Sequence, residues 1–399
     1  MTPKVLVLSR NYPSNVMALV GLWVEGLTRS LSRFCELRVV SPVPYSPPLP
    51  KSVSYGHFRR IPQRDRVNGI EVSYPRFLTG PSRMLDRVNA TTYYWGVRGA
   101  IARLRREFPF DMIHAHFGYP DGVAAARLGR RYRVPVLITE HAPWVPWMEG
   151  APAIRAQAVR ASREAAFHIV GSRYVRATIA RFTGDSDRLR TIPIGVDGQL
   201  FVLPPDETMR DPDRILYVGR IHTIKGVDLL LRTMTRLVER RPSVRLTLVG
   251  GGFIYRGYQR QEDALRRLAG ELRLDGHVEF LGGCPPAEVA QWMRRSAVLV
   301  LPSRAEAFGA VLVEALACGT PVVATRCGGP EDVVNEQVGH LVPSDDEEAL
   351  AGAIEDVLAH RDRYDPDQLR AYALENFSWE MIARRTFDLY EAAMSGEGR

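Results

Sequence analysis

Two consecutive sets of alternating strands and helices, each building a parallel α/β sheet, are what this sequence predicts. Three observations carry that expectation. Short β-branched runs alternate with longer helical stretches along the chain, the pattern of parallel α/β architecture. The alternation is interrupted once, at IPIGVDGQLFVLPPDETM (192–209), where helical periodicity is lost and Gly and Pro accumulate. And 399 residues are more than one hydrophobic core usually serves, so two domains are expected.

In the first set the strand candidates are Lys4–Leu8, Leu37–Val40, Met112–His114, Val134–Thr139 and Phe167–Val170. In the second they are Ile215–Val218, Arg245–Val249, Val278–Leu281, Val298–Leu301 and Pro321–Ala324. The Pro-rich stretch Ser41–Pro50 reads as a loop, because strand-like sequence resumes after it. Near the end, Trp379–Met394 places Met381, Ile382, Phe387 and Tyr390 on one stripe, which predicts a helix with one buried face. The expected organisation is a first domain over 1–198, a second over 199–376, and a terminal helix over 377–399 crossing back onto the first.

With 45% apolar and 25% charged residues, the composition is that of an ordinary globular protein. No apolar run approaches the length that spans a bilayer, and Val5–Leu8 is too short for the core of a signal peptide, so a cytoplasmic location is expected. The four cysteines (Cys35, Cys284, Cys318, Cys327) lack metal-like spacing and read as free thiols. Charge is divided unevenly. Residues 1–198 hold 29 Lys and Arg against 14 Asp and Glu, whereas residues 199–399 hold 24 against 31. A basic half suits an anionic partner such as a membrane surface, or is a solvated arginine-rich face. Lysine is confined to Lys4, Lys51 and Lys225, so a surviving lysine marks a place where a compact ammonium is needed.

The most informative stretch is PSRAEAFGAVLVEALACGTPVVATRCGGPED, 302–332. Glu314 stands alone in an uncharged run from Ala307 to Thr325, and a carboxylate in such surroundings is costly unless something pairs with it. Glu306 has two readings. Ser303 to Glu306 fits S-x-x-E, a capping box opening a helix that Gly319 closes. Alternatively Gly309 ends a loop that carries Glu306, with Glu314 on the following helix; in one continuous helix the two would lie about 80° apart. Free amides around Phe308, Gly309 and Ala310 would then offer an anion site at the helix start.

A second constellation is YVGRIHTIKG, 217–226: a strand ending in Gly, then Arg220 and Lys225, then a helix. Two cations outside the carboxyl end of a parallel strand suit a diphosphate.

Taken in order, these motifs resemble the retaining glycosyltransferases of family 4, which have the two-domain Rossmann-like GT-B fold with parallel sheets facing a central cleft. The resemblance covers most of the chain. It rests on Gly219-Arg220 with Lys225-Gly226, and on Pro302-Ser303 followed by the E-x7-E pair Glu306/Glu314. It also rests on Gly319-Thr320-Pro321, Gly328-Gly329, His114-Ala115-His116, Ile192 to Asp197 and Phe377-Ser378-Trp379.

The resemblance implies a nucleotide-sugar donor, UDP- or GDP-linked, and a saccharide or lipid-linked saccharide acceptor. It implies retention by front-face attack, with no cofactor and no metal. Residue by residue, Glu314 resembles the glutamate that binds the nucleotide ribose, and Glu306 the one near the donor sugar and its phosphates. Arg220 and Lys225 resemble the cations that hold the diphosphate, completed by backbone amides at Phe308, Gly309 and Ala310. His116 resembles the histidine that contacts the transferred sugar, and Gly21 the glycine that lets backbone approach the donor phosphate. Ile194 stands where many relatives have Asn, and the loop at Gly21 has one glycine where many have two.

Through Pro75-Arg76 and His114 to Gly122 the first half also resembles, more narrowly, bacterial exopolysaccharide and teichuronic-acid-type transferases, with the acceptor at the inner face of the membrane. The segment 82–108, with Arg83, Arg87, Arg98, Arg103, Arg105 and Arg106 beside Tyr93, Tyr94 and Trp95, predicts a basic amphipathic surface there. Competing readings are an epimerase or phosphorylase on the same fold, a transferase for small soluble acceptors, and a nucleic-acid-binding protein. The few lysines lack the context of a pyridoxal phosphate site, and a nucleic-acid surface would not require Glu314.

Overall fold

The computed structural model describes residues 2–45, 58–79, 86–145, 148–251 and 256–397. The chain divides into two compact units, residues 1–195 with 379–399, and residues 196–378. The division falls at Gly195/Val196 and Ser378/Trp379, where the sequence reading put 198/199 and 376/377. The motif Phe377-Ser378-Trp379 is therefore split between units.

In the first unit the strands are β1 (Lys4–Leu8), β2 (Glu36–Val40), β3 (Val43–Tyr45), β4 (Arg64–Val67) and β5 (Ile70–Ser73). They continue with β6 (Arg76–Leu78), β7 (Met112–His116), β8 (Val136–Glu140), β9 (Phe167–Val170) and β10 (Leu189–Thr191). One sheet runs β10-β9-β8-β7-β1-β2-β5-β4, parallel except for β4 against β5, while β3 pairs with β6 apart from it. The second unit holds β11 (Asp211–Val218), β12 (Arg245–Val249), β13 (Val278–Gly282), β14 (Ser296–Leu301), β15 (Val322–Arg326) and β16 (Gly339–Pro343). Its sheet is wholly parallel, in the order β13-β12-β11-β14-β15-β16.

All ten expected strands are present, with ends shifted by a few residues. The strands that the sequence pattern missed lie mostly at sheet edges or are short. β4 reads RDRV and is mostly exposed, because an edge strand facing water tolerates charge. Central strands β7, β8 and β14 are buried along their whole length, as in sheets covered on both faces. In β7 and β8 that burial includes His114, His116, Thr139 and Glu140, polar groups that must find partners inside.

The terminal helix Trp379–Ser395 packs on the helix Leu22–Leu31 of the first unit. Its buried stripe is Ile382, Ala383, Thr386, Phe387, Tyr390 and Ala393, at helical spacing. Contact is close enough that a Cβ on Gly26 would lie 2.7 Å from the Trp379 ring. Fully burying a side chain such as Phe387 is worth about 1.5–3 kcal/mol.

Candidate active site

Each sheet has one place where successive strands leave in opposite directions, and ligands of open α/β sheets bind outside the carboxyl ends of the strands there. In the second unit this switch point lies between β11 and β14; in the first it lies between β1 and β7. The residues singled out by sequence follow these strands.

After β11 the chain turns through Thr223–Lys225 and enters the helix Val227–Arg240 at Gly226. Gly226 is left-handed (φ 64°), and a Cβ there would lie 1.9 Å from the Pro302 carbonyl oxygen. Only glycine lets this turn lie directly against the loop that follows β14. Lys225 Nζ donates to Glu306 Oε2 across that contact, with the two side chains only 13% and 16% exposed. Glu306 Oε1 accepts from the Ala307 amide at 3.1 Å. The predicted diphosphate cation and the predicted sugar-side carboxylate are thus each other's partners.

Arg304 fastens the same two segments. Its amide donates to the Ile224 carbonyl (2.8 Å) and its Nη1 to the Thr223 carbonyl (2.6 Å). Nη1 and Nη2 grip both oxygens of Asp228 at 2.8 Å each, and Nε donates to Asp345 Oδ1 at 2.7 Å. The hydrogen bonds to Asp228 hold the Arg304 guanidinium above its ordinary range and Asp228 below its own. Arg220 differs. Tyr217 Oη donates to its carbonyl at 2.8 Å, while its guanidinium is exposed and has no protein partner among the described residues.

The helix of the E-x7-E stretch is Ala310–Ala317, entered through left-handed Gly309 (φ 90°). Ser303 to Glu306 is therefore loop, and the capping-box reading of Glu306 falls: the helix begins four residues after it, and its carboxylate is held by Lys225. Phe308 is buried edge-on against Phe377, with ring centroids 5.8 Å apart. Among the described residues the amides of Phe308, Gly309, Ala310 and Val311 have no protein acceptor, which leaves the helix N-terminus open to an anion. The Glu314 carboxylate accepts no hydrogen bond and makes no ion pair among the described residues; its main-chain carbonyl accepts from the Cys318 amide at 3.2 Å. Glu314 is part-buried, where the uncharged run around it suggested full burial, and burial pushes its carboxyl up to about 7.

In the first unit His116 ends β7 and is buried. Its Nδ1 lies 2.9 Å from His141 Nε2, and the two rings stack at 5.2 Å. His114, two residues earlier on the same face, shares its ring nitrogens with Tyr390 Oη (2.6 Å) and Thr139 Oγ1 (2.7 Å). Burial pushes His114 and His141 down to about 3, and His116 well below the usual range, so this stack is neutral. Beside it Glu140 accepts from Trp144 Nε1 (2.7 Å) and from the Gly118 amide (2.9 Å). Gly21 is left-handed (φ 74°) and opens the helix Leu22–Leu31; a Cβ there would lie 2.1 Å from the Asn11 carbonyl oxygen. Asp121 ties the two loops of this switch point, accepting from the Arg10 amide (2.7 Å) and from Tyr93 Oη (2.5 Å).

Comparison with known proteins places the chain. The description "Glycosyltransferase Family 4" matches residues 23–200, and "Glycosyl transferases group 1" matches 205–375. A D-inositol 3-phosphate glycosyltransferase of Frankia alni is 34% identical over 72% of this chain and 75% of its own. The chain belongs to the family 4 glycosyltransferases. Another relative, the GDP-mannose-dependent alpha-(1-6)-phosphatidylinositol monomannoside mannosyltransferase of Mycolicibacterium smegmatis, is 32% identical over 67% of this chain and 72% of its own. Among solved structures, the sucrose-phosphate synthase of Thermosynechococcus elongatus superposes with a TM-score of 0.81 at 24% identity, covering 99% of this chain and 100% of that one. Anabaena HepE, solved with UDP and glucose, gives 0.75 at 18% identity over 98% and 100%. The fold is GT-B, and the epimerase and phosphorylase readings give way to glycosyl transfer.

As read from this glycosyltransferase's sequence, the site lacked Arg304 with Asp228 and Asp345, and it lacked His141 with Glu140. The signal for His141 was present: Glu140 closes β8 and His141 follows it, as His116 closes β7 on the neighbouring strand. Within the segment 82–108, Tyr93 and Arg105 are not part of the expected surface. The helix Asp86–Glu107 buries Tyr93 against Phe77 and Asp121, and Arg105 turns back to the Phe110 carbonyl and ring. Arg83 and the side chain of Arg87 lie outside the described residues, as do residues 46–50 of the expected Pro-rich loop. Among the described residues no cluster of three or more His, Cys, Asp or Glu is placed to hold a metal, and no helix is long and apolar enough to cross a membrane.

Proposed function

We propose that this glycosyltransferase takes a sugar from a UDP- or GDP-sugar, with retention, and passes it to a saccharide or polyol acceptor, free or lipid-linked, in building cell-surface polysaccharide or glycolipid. The observation that carries the reading is the gathering of cations and acceptor-free amides at the β11/β14 switch point. Arg220 and the amides of Phe308–Val311, which have no protein partner among the described residues, supply positive charge together with the Glu306-paired Lys225, and Glu314 is a carboxylate with unused acceptor capacity. In this reading Arg220, Lys225 and those amides hold the diphosphate and stabilise it as it departs. Glu314 accepts hydrogen bonds from the ribose hydroxyls.

Glu306 keeps Lys225 oriented toward the leaving phosphate. His116, neutral in its buried stack, serves the transferred sugar through hydrogen bonds and not through charge. No covalent nucleophile is assigned, and no metal is invoked. The GDP-mannose named for the Mycolicibacterium relative, and the UDP bound by HepE, favour these two nucleotides. The inositol-type acceptors named for the relatives favour a polyol or glycolipid over an exopolysaccharide.

The test is a screen of UDP-, GDP- and ADP-sugars for binding and hydrolysis, with Glu314→Gln and Lys225→Ala beside wild type. Equal nucleotide binding by all three proteins would remove the donor-site assignment.

A membrane-facing role for the first unit is a second part of the proposal. Trp95 is 54% exposed on the helix Asp86–Glu107, with Arg98 3.7 Å over its ring and Arg103 and Arg106 exposed along the same helix. Sedimentation with phosphatidylglycerol vesicles should show binding that fades with salt and with Trp95→Ala. Absent or salt-insensitive binding rules it out.

A further inference from the structure

We infer that Arg304 is a positioning residue for donor binding: it fixes the turn that carries Lys225 to the loop that carries Glu306, and so sets the geometry of that pair. The functional consequence rests on the donor-site reading above; the positioning itself does not. Lys225 ends a three-residue turn with few bonds of its own, its amide bonding His222 and the Gly226 amide bonding Thr223. Arg304 supplies the rest. Its main-chain amide takes the Ile224 carbonyl, its Nη1 takes the Thr223 carbonyl, and its fork takes both oxygens of Asp228 at the start of the next helix. Thus the turn is held on both sides of Lys225 by one residue. Nε meanwhile reaches Asp345, whose own backbone is left-handed (φ 57°), which ties the β14 loop to the turn after β16.

Two residues beyond Arg304 in the same loop, Glu306 meets Lys225 Nζ. A lysine at 304 would carry the charge but not the planar fork, so it would lose the two-oxygen grip on Asp228. Charge neutralisation alone does not explain the arrangement, because the two carbonyl contacts contribute direction without charge.

The scarcity of lysine makes the test direct. With lysine selectively labelled with 13C, the protein gives side-chain Cε signals from Lys4, Lys51 and Lys225 only, and Lys225→Arg identifies the third. Arg304→Ala and the milder Arg304→Lys should both move the Lys225 signal toward its position in Glu306→Gln, leaving the other two in place. Donor KM should rise about tenfold in Arg304→Ala, and adding Arg304→Ala to Lys225→Ala should raise it little further, since Arg304 acts through Lys225.

An unmoved Lys225 signal in either folded variant overturns the inference, even if the melting temperature drops, because that is what a merely structural role would give. Full additivity of the two substitutions on donor KM overturns it as well. The donor reading is judged separately: UDP-glucose and GDP-mannose titrated into wild type should shift the Lys225 signal. If neither does, that reading fails while the Arg304 coupling stands or falls on its own spectra.

Discussion

The two switch points treat ionisable groups in opposite ways. At β11/β14 charge is kept: Lys225 is paired with Glu306, Arg304 is bound by two aspartates, and the exposed Arg220 guanidinium and the part-buried Glu314 carboxylate have no partner among the described residues. At β1/β7 charge is suppressed. His114 and His116 are fully enclosed, with His141 stacked on His116, and Asp121 and Glu140 beside them are raised above their ordinary range by burial. The first arrangement suits a ligand that brings charge, since paired cations can exchange a carboxylate for a phosphate without new desolvation. The second suits a neutral ligand recognised by shape and hydrogen bonds, because unpaired charge would be costly there.

The largest expected effect breaks the charged side. Lys225→Ala removes one cation from the proposed leaving group and leaves Glu306 without its partner, so kcat/KM for the donor should fall about 10²- to 10³-fold, equivalent to about 3–4 kcal/mol. Steady-state kinetics with saturating acceptor check it. Glu306→Gln should cost less, because Lys225 then remains available to phosphate. If Glu306→Gln proves the more damaging, Glu306 acts on the sugar directly and not mainly through Lys225.

Acid should separate the two units. His114, His141 and His168, the last buried on β9, are each held down to about 3 by burial, against an unfolded value of 6.5. A depressed histidine contributes stability that is fully present above 6.5 and is lost as pH falls toward 3. From pH 7 to pH 5 each costs the first unit up to about 2 kcal/mol. Asp121, raised to about 6, offsets part of this by taking up a proton in the folded state. Glu314 in the second unit, raised to about 7, works in the stabilising direction over the same interval. Hydrogen exchange at pH 5 and pH 7.5, corrected for intrinsic rates, should therefore show protection falling in residues 1–195 and holding in 196–378. Equal loss in both would mean that the histidine stack titrates near its ordinary value.

How legible each side was follows from the same contrast. Strand positions could be read because buried parallel strands are short apolar runs, and Glu314 because one acid interrupts such a run. The Lys225–Glu306 pair was hidden, since its members lie 81 residues apart and meet only where β11 and β14 become neighbours. Arg304 looked like a spacer inside S-x-x-E; its five bonds go to segments that the sheet order, not the sequence, brings together. His116 was legible as a strand-end histidine, but its neutral stack depends on His141 from the adjacent strand and its neighbour His114 on Tyr390 from the terminal helix. Local motif residues were visible in the sequence; partnerships across strands were not.

The smallest effect sharpens the comparison most, because it asks whether Glu314, whose carboxylate has no partner among the described residues, binds as an anion. If ribose hydroxyls donate to Glu314, the ligand prefers the ionised form, and affinity rises as pH passes upward through about 7 and levels off above it. Between pH 6 and pH 8 the ionised fraction of such a group grows about tenfold, so the donor Kd should tighten by about that factor. The ligand must be an intact nucleotide-sugar and not a nucleoside diphosphate, whose terminal phosphate titrates in the same interval. Glu314→Gln, which keeps an acceptor oxygen but cannot ionise, should bind with an affinity close to the wild type's at pH 6 and show no slope. A wild-type Kd flat from pH 6 to pH 8 would mean that Glu314 is already ionised at pH 6 or does not touch the ligand, and the variant separates these: weaker binding throughout indicates the first, unchanged binding the second.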